Sequence, residues 1–550
     1  MATFRVEVRR VPVDVEVTDK HGNPVTGLKA KDFRVKEDGK PQKILSFNYY
    51  DGQVMRYVPG RNPILPADTY VNLPRHPERG PLYILYYDMV NTDRVDQMLF
   101  RAGLLKFVEE APEGTRIALF VNAAGMHLLQ GFTSDHALLR EAILRQEPGP
   151  HAPKVFIYGR EYGWQDSGAA LSNLTNIAEY LQGIPGKKNL IWLADYFPIP
   201  LGPSMIGTGA AGTNRGGMFT SAHGLGGPEL LDLSELQSGM VKHCFSAMMR
   251  SQIVLYPVDL KGLDPQTDAG DLATQYATDQ AIADITGGQA FHSNRPDESL
   301  LHAMAAGESY YELSYEPSNL HDDGSARHIQ LELAKKQGYT LSYRMLYYAL
   351  PENSAPTPKQ KVTVQSRFMA AKTADTLYAN IEHGAPTLHD LLFSAHVTAI
   401  GKPALATTAQ MGALEDSPKY FKTRRRSKPL KTPKPVMLEK YQIAYGVFDP
   451  VLKKMAAQQR KPAMLEFAAA AYDADGMMLN SMLNEGIATL GSAPGGKAGG
   501  LFHGEQELEV PEGAVWLRLA VRDRLSDRTG TLEIRLPAER ALQASVAERH

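Results

Sequence analysis

The feature that most limits how this chain can fold is a change in the spacing of its apolar residues. Early in the chain they alternate: Val11, Val13, Val15 and Val17 fall between Pro12, Asp14 and Glu16, the period of a half-buried strand. Turns at Asp19-Lys20-His21-Gly22 and Glu37-Asp38-Gly39 divide residues 4–49 into strands. At Leu82 the pattern becomes the unbroken run Leu82-Tyr83-Ile84-Leu85-Tyr86-Tyr87, which suits a strand covered on both faces. Helical spacing follows, with an amphipathic stripe of Val95, Met98, Leu99, Ala102, Leu105 and Val108.

The alternation continues to about residue 306. Strands are expected at Ile117–Val121, Met126–Leu129, Leu190–Leu193, Ile253–Val258 and Gln289–His292. Helices are expected from about Ser134, through Leu171–Leu181, over about 229–250 and ending near Ile285. Strands separated by helices predict a doubly wound, mostly parallel sheet. Strand patterns return at Tyr310–Tyr315, Ile329–Leu333 and Thr340–Tyr343, and a Pro/Ser/Lys linker covers 351–360.

The expected organisation is therefore multidomain, α/β plus all-β. A doubly wound, Rossmann-like domain over 78–306 is inserted in, or flanked by, β-sandwich domains. Strands of 1–50 and of 307–350 are each too few to bury a two-sided core, and pooled they suffice. Residues 50–79 read as a connector. A second sandwich is expected over 361–540, with a polar, basic loop at 415–436. There Leu517, Leu519 and Val521 would face a core, and Arg518, Ala520 and Arg522 water.

Composition narrows the function classes. The chain has 550 residues, 43% of them apolar and 22% charged, as in a globular protein. Its formal net charge of −2 gathers neither nucleic acid nor an anionic membrane. No run approaches the ~18 apolar residues of a transmembrane segment. The single cysteine, Cys244, excludes an intrachain disulfide; its place on the stripe Leu236, Met240, Val241, Phe245, Met248 reads as a buried thiol. No signal peptide precedes the strand pattern at Phe4–Val8, which reads as a mature or trimmed chain.

Several stretches together resemble the von Willebrand factor A (VWA)-related domain proteins of the Acidobacteria type. They are Val15–Gly22 with Asp32-Phe33, Tyr87-Asp88-Met89-Val90-Asn91-Thr92, Gly183–Trp192, Tyr256-Pro257-Val258-Asp259 with Thr286-Gly287-Gly288, and Tyr310–Pro317. The resemblance covers about residues 4–348, and the C-terminal part more loosely. It implies a VWA-type domain in an exported protein that is secreted, periplasmic or on the cell surface. It also implies an Mg²⁺ site of the D-x-S-x-S kind, completed by a threonine and an aspartate. The matching positions are Asp88, Thr92 and Asp195. Val90 stands where a serine belongs, and Ala194 offers no hydroxyl. Ser167 is the one candidate for the second-loop hydroxyl. A hard cation prefers about six oxygens, so two arrangements stay open: a weak, water-rich Mg²⁺ or Ca²⁺, or no ion, with Asp88 hydrogen-bonded at the sheet edge.

Other motifs dissolve on inspection. Gly207-Thr208-Gly209-Ala210-Ala211-Gly212 fits G-x-G-x-x-G but does not join a strand to a helix. Gly491–Ala498 resembles a phosphate loop with alanine where the magnesium hydroxyl belongs. Asp473-Ala474-Asp475-Gly476 reads as a hairpin turn. Arg424-Arg425-Arg426 reads as a solvated loop or a dock for an acidic partner. His127, His243 and His292 show no ligand spacing, and neither H-E-x-x-H nor G-x-S-x-G occurs. The sequence therefore predicts a non-catalytic interaction or adhesion protein without a tightly held cofactor, binding a protein partner or itself and no nucleic acid. The alternatives are a subunit that assembles into a filament or shell, and a metal-dependent hydrolase or its accessory subunit.

Overall fold

The structure, a computed structural model, describes residues 10–52, 65–73, 79–145, 155–199, 228–260, 269–349, 377–407, 436–448, 463–491 and 501–536, apart from short gaps within these ranges. The sequence motifs at 207–212 and 424–426 lie outside them, as does all but the start of 491–498. The chain is mostly β-sheet with helices, and it divides into two compact units. One comprises Met1–Val54, Arg79–Leu129 and Thr133–Gln360; the other comprises Met55–Glu78, Gln130–Phe132 and Lys361–His550.

The chain opens with β1 (Val11–Thr18), β2 (Phe33–Glu37), β3 (Lys40–Gln42) and β4 (Ile44–Tyr50). After β5 (Thr69–Val71), which belongs to the second unit, come β6 (Arg79–Asp88), α1 (Arg94–Glu110), β7 (Thr115–Asn122), β8 (Met126–Thr133) and α2 (His136–Arg145). A short hairpin, β9 (Val155–Ile157) and β10 (Arg160–Tyr162), precedes α3 (Ser167–Tyr180) and β11 (Lys188–Ala194). Then follow α4 (Pro228–Arg250), β12 (Ile253–Asp259), α5 (Ala269–Thr286), β13 (Phe291–His292) and α6 (Pro296–Ala306). Strands β14 (Tyr310–Tyr315), β15 (Ala326–Leu333), β16 (Thr340–Tyr343) and β17 (Leu346–Tyr348) finish the first unit.

Six strands form one sheet in the order β13-β12-β11-β6-β7-β8, with parallel pairing from β13 through to β7. The unbroken apolar runs follow from this position, since every residue of β11 and β12 is buried. Tyr83, Leu85 and Tyr87 of β6 share a core with Phe100, Leu104 and Phe107 of α1 and with Leu300 and Ala303 of α6.

Here the sequence expectation for α1 needs correction. Its core face carries Gln97, Phe100, Leu104, Phe107 and Val108. Val95, Met98 and Leu99 lie on the other side, 70%, 64% and 65% exposed. The helix has two apolar stripes, and the aromatic one, which fills more volume, takes the core.

Strands from before and after this sheet share two antiparallel sheets of orders β16-β1-β14-β4 and β17-β15-β2-β3. Val11 pairs with Tyr315, Val15 with Tyr311 and with Tyr343, and Leu331 with Val35. Val11, Val13, Val15, Val17, Phe33, Val35, Tyr311, Leu313, Ile329 and Leu331 all enter one core.

In the second unit, β18 (Phe393–Leu405), β19 (Met437–Val447), β20 (Ala463–Tyr472), β21 (Met478–Ala488), β22 (Leu490–Gly491), β23 (Leu501–Pro511), β24 (Trp516–Asp523) and β25 (Arg528–Arg535) form two antiparallel sheets. Their orders are β22-β23-β19-β18-β5 and β21-β20-β24-β25, and both contribute to one core. Two points differ from the sequence reading. Residues 69–71 of the expected connector form β5, an edge strand paired with β18. The expected wet face of β24 is covered: Arg518 is 1% exposed and donates to the carbonyls of Asn380 (2.9 Å) and Pro386 (2.8 Å). Leu377 and Ile381 pack there with Ala470, Tyr472 and Ala520. Alternation marked the two faces correctly, but a segment distant in sequence dries the second one.

Candidate functional site

The strand order of the six-stranded sheet reverses between β6 and β11, and in open α/β sheets ligands bind outside the carboxyl ends of strands at such a reversal. Asp88 ends β6, Asn122 ends β7, and Asp195 follows β11 directly. All three belong to this edge because parallel strands deliver their last residues to the same side.

Asp88 is fully buried. Its carboxylate accepts from Asn91 Nδ2 (2.8 Å), Asn122 Nδ2 (2.8 Å) and the indole Nε1 of Trp192 (3.4 Å). Burial pushes the Asp88 carboxyl up to about 6, and the three donors hold it from rising further. Thr92 Oγ1 donates to the Asp88 carbonyl at 2.8 Å, and Gln97 Nε2 clamps the same turn through the carbonyls of Met89 and Thr92. The Asp195 N–H donates to the Asn91 carbonyl at 3.1 Å, tying the turn after β6 to the end of β11.

Asp195 accepts from the backbone N–H of Asp93, the residue just before α1, at 2.7 Å. Carboxylate oxygens of Asp93, Asp96 and Asp195 lie within 4.8 Å of one another. Burial raises the Asp195 carboxyl; the Asp93 N–H opposes this and the Asp96 carboxylate adds to it.

The structure thus places the predicted residues on one edge but in two different settings. Asp88 and Thr92 are tied into a hydrogen-bonded turn, and Asp195 joins an acidic group with Asp93 and Asp96. Three of the roughly four lone-pair positions of the Asp88 carboxylate face donors. The Thr92 hydroxyl proton is committed to a carbonyl. Most acceptor positions of the Asp88 carboxylate are therefore taken by protein donors, while the Thr92 oxygen keeps its lone pairs. The side chain of Ser167 lies outside the described residues. Cys244 is buried, which pushes its thiol up to about 12.

Sequence reasoning missed two features of this edge. Val95, Met98 and Leu99 of α1, just after Asp93 in the sequence, and Tyr196 (43% exposed), just after Asp195, are open to water. His292, without ligand spacing in the sequence, lies 3.0 Å from Asp279 Oδ2. A parallel sheet assembles such sites from residues tens of positions apart, so local spacing carries no signal.

No protein-family model matches the chain, and no curated protein matches it. Solved structures do match in part. One is proximal thread matrix protein 1 from the mussel byssus, at 11% identity and TM-score 0.22, over 42% of this chain and 48% of that one. Another is a von Willebrand factor type A protein from Catenulispora acidiphila, at 11% identity and TM-score 0.25, over 63% and 74%. A third is the vWF domain of the type V pili tip protein Mfa5 from Porphyromonas gingivalis, at 20% identity and TM-score 0.16, over 21% and 38%. The chain thus spans about half the length of the mussel protein and less of the pilus one. Likenesses of this size assign no role. No helix among the described residues is long and apolar enough to cross a membrane.

Proposed function

We propose that this chain is a non-catalytic interaction protein of the cell surface or exterior. Its binding face is the carboxyl edge of a doubly wound, VWA-type sheet carried on β-sandwich modules. The observation that carries the reading is the exposed stripe of Val95, Met98 and Leu99 beside Asp93, Asp96 and Asp195. Residues 95, 98 and 99 lie on one helix face, and contiguous exposed apolar surface rimmed by polar groups marks interaction sites. The strand-order reversal between β6 and β11, next to the start of α1, supports the reading, because α/β sheets bind ligands outside such a reversal. Asp88 serves as an internal brace that shapes the edge, rather than as a cation ligand.

The test uses purified full-length protein and the variant Val95→Glu/Met98→Glu/Leu99→Glu. Wild type immobilised against surface proteins of the producing cells should retain a partner that the variant does not. That partner, purified, should bind wild type with a measurable Kd. Equal binding of both forms by every retained protein would refute the reading. Sedimentation of the wild type alone separates a foreign partner from a second copy of the chain.

A further inference from the structure

A second group of chemistry-bearing side chains lies at the far end of the same sheet edge. Asp259 ends β12 and His292 ends β13; the two are register partners across a parallel pair, so their side chains leave the sheet on the same side. Asp279 reaches them from α5. The carboxylate oxygens of Asp259 and Asp279 and a ring nitrogen of His292 all lie within 4.8 Å of one another. Asp259 is 1% exposed and Asp279 2% exposed, while the His292 side chain is 14% exposed.

From this donor set we propose that Asp259, Asp279 and His292 form a binding site for a divalent transition-series cation such as Zn²⁺ or Mn²⁺.

Three lines support it. The first is distance. His292 Nε2 is hydrogen-bonded to Asp279 Oδ2 at 3.0 Å; bonds of ~2.1 Å set at right angles put neighbouring ligand atoms ~3 Å apart, so an ion can take the place of the shared proton. The second is donor type. One imidazole with two carboxylates favours zinc or manganese over magnesium or calcium, whose sites are all-oxygen. Three protein ligands leave coordination positions for water, as in open zinc sites. The third is the surroundings. The Tyr276 ring lies against His292 at 3.7 Å between centroids, and its enclosed hydroxyl makes no hydrogen bond among the described residues. The Ala290 N–H donates to Gln280 Oε1 at 3.1 Å and pins the approach to β13 against α5, one residue from Asp279. Asp195 and its acidic neighbours form a separate group, so this site is independent of the proposed binding face.

The experiment uses the full chain, stripped with chelator and dialysed against Zn²⁺ or Mn²⁺ at pH 7.5, with bound metal counted by mass spectrometry and affinity measured by calorimetry. Expected is one tight ion per chain. Asp279→Asn and His292→Gln should each weaken it by roughly a hundredfold, while Asp195→Asn leaves it unchanged. Co²⁺ in the wild type should give visible absorption bands that His292→Gln abolishes. Wild type that takes up no ion of either metal overturns the proposal. So does binding unaltered in His292→Gln, or loss of binding in Asp195→Asn with retention in Asp279→Asn. If Asp279→Asn does not fold, His292→Gln, altered at the least enclosed of the three positions, decides.

Discussion

Lys187→Met should be among the most damaging single substitutions in the first unit. The Lys187 ammonium lies 2.6 Å from Glu16 Oε1, with the two side chains 1% and 8% exposed. The Tyr256 hydroxyl donates to the same oxygen, and the ammonium sits 4.7 Å from the centre of the Tyr310 ring. Methionine keeps the packing of the stem but leaves the Glu16 carboxylate buried with only a phenol. Removing one partner of such a pair costs about 3–5 kcal/mol. At about 2–4 °C per kcal/mol for a unit of this size, the melting temperature should fall by roughly 6–20 °C. Glu16→Gln/Lys187→Met removes both charges while keeping an acceptor for Tyr256, so it should recover about half or more of the loss. Circular dichroism melts of wild type, both single variants and the double variant complete the cycle. A Lys187→Met protein melting within about 2 °C of wild type, or a double variant as unstable as the sum of the singles, would refute the reasoning.

Four further outcomes follow from the structure. The Asp88 carboxyl is raised from 3.8 to about 6, so the native state binds the extra proton. Relative to Asp88→Asn, wild type should lose stability as pH rises from about 4 to about 6, by up to ~1.4 kcal/mol per pH unit, and then level off; paired urea titrations across that window check it. Met98→Glu/Leu99→Glu should change stability by less than about 1 kcal/mol, while Phe107→Ala costs about 3–5 kcal/mol, as read from denaturant midpoints. Arg518→Met should destabilise the second unit by about 3–5 kcal/mol, and Arg518→Lys should not restore it, because one ammonium nitrogen cannot occupy both the Nε and Nη2 positions from which the guanidinium meets the carbonyls of Asn380 and Pro386; thermal melts decide both. Cys244, with its thiol pushed up to about 12, should resist maleimide until the protein is unfolded.

Much of the fold was legible because its strands are extreme cases. Val11–Val17 alternate where one face meets a core, and Leu82–Tyr87 run unbroken where both faces do. The stretches that carried the family resemblance prove to be architectural. Thr286 Oγ1 accepts the Leu255 N–H at 2.8 Å, and Gly287 adopts φ +90°. A Cβ on Gly288 would lie 2.0 Å from the Leu255 carbonyl. Lys188 Nζ donates to the carbonyls of Gly186 and Ser251. Motifs selected for packing speak for a fold and are silent on a partner. What stayed hidden depends on choices that spacing does not encode. In α1 two apolar stripes competed for one core; at Arg518 a segment some 130 positions away supplies the carbonyls. Strand ends place Asp88 and Asp195 at the edge, but which neighbours each one recruits was settled by Asn122, Trp192 and the first turn of α1.

The pairing of β1 with β14 sets a timetable for biosynthesis. Val11 finds Tyr315 and Val15 finds Tyr311 only after some 300 intervening residues have left the ribosome. At about 5–20 residues per second, the opening strands wait for roughly 15–60 s with their valines uncovered. Over that interval the parallel sheet between them can assemble, and its closure brings the two ends of the inserted segment near each other. Until then β1 keeps an unpaired edge, and a chain released before residue 310 would carry that edge uncovered.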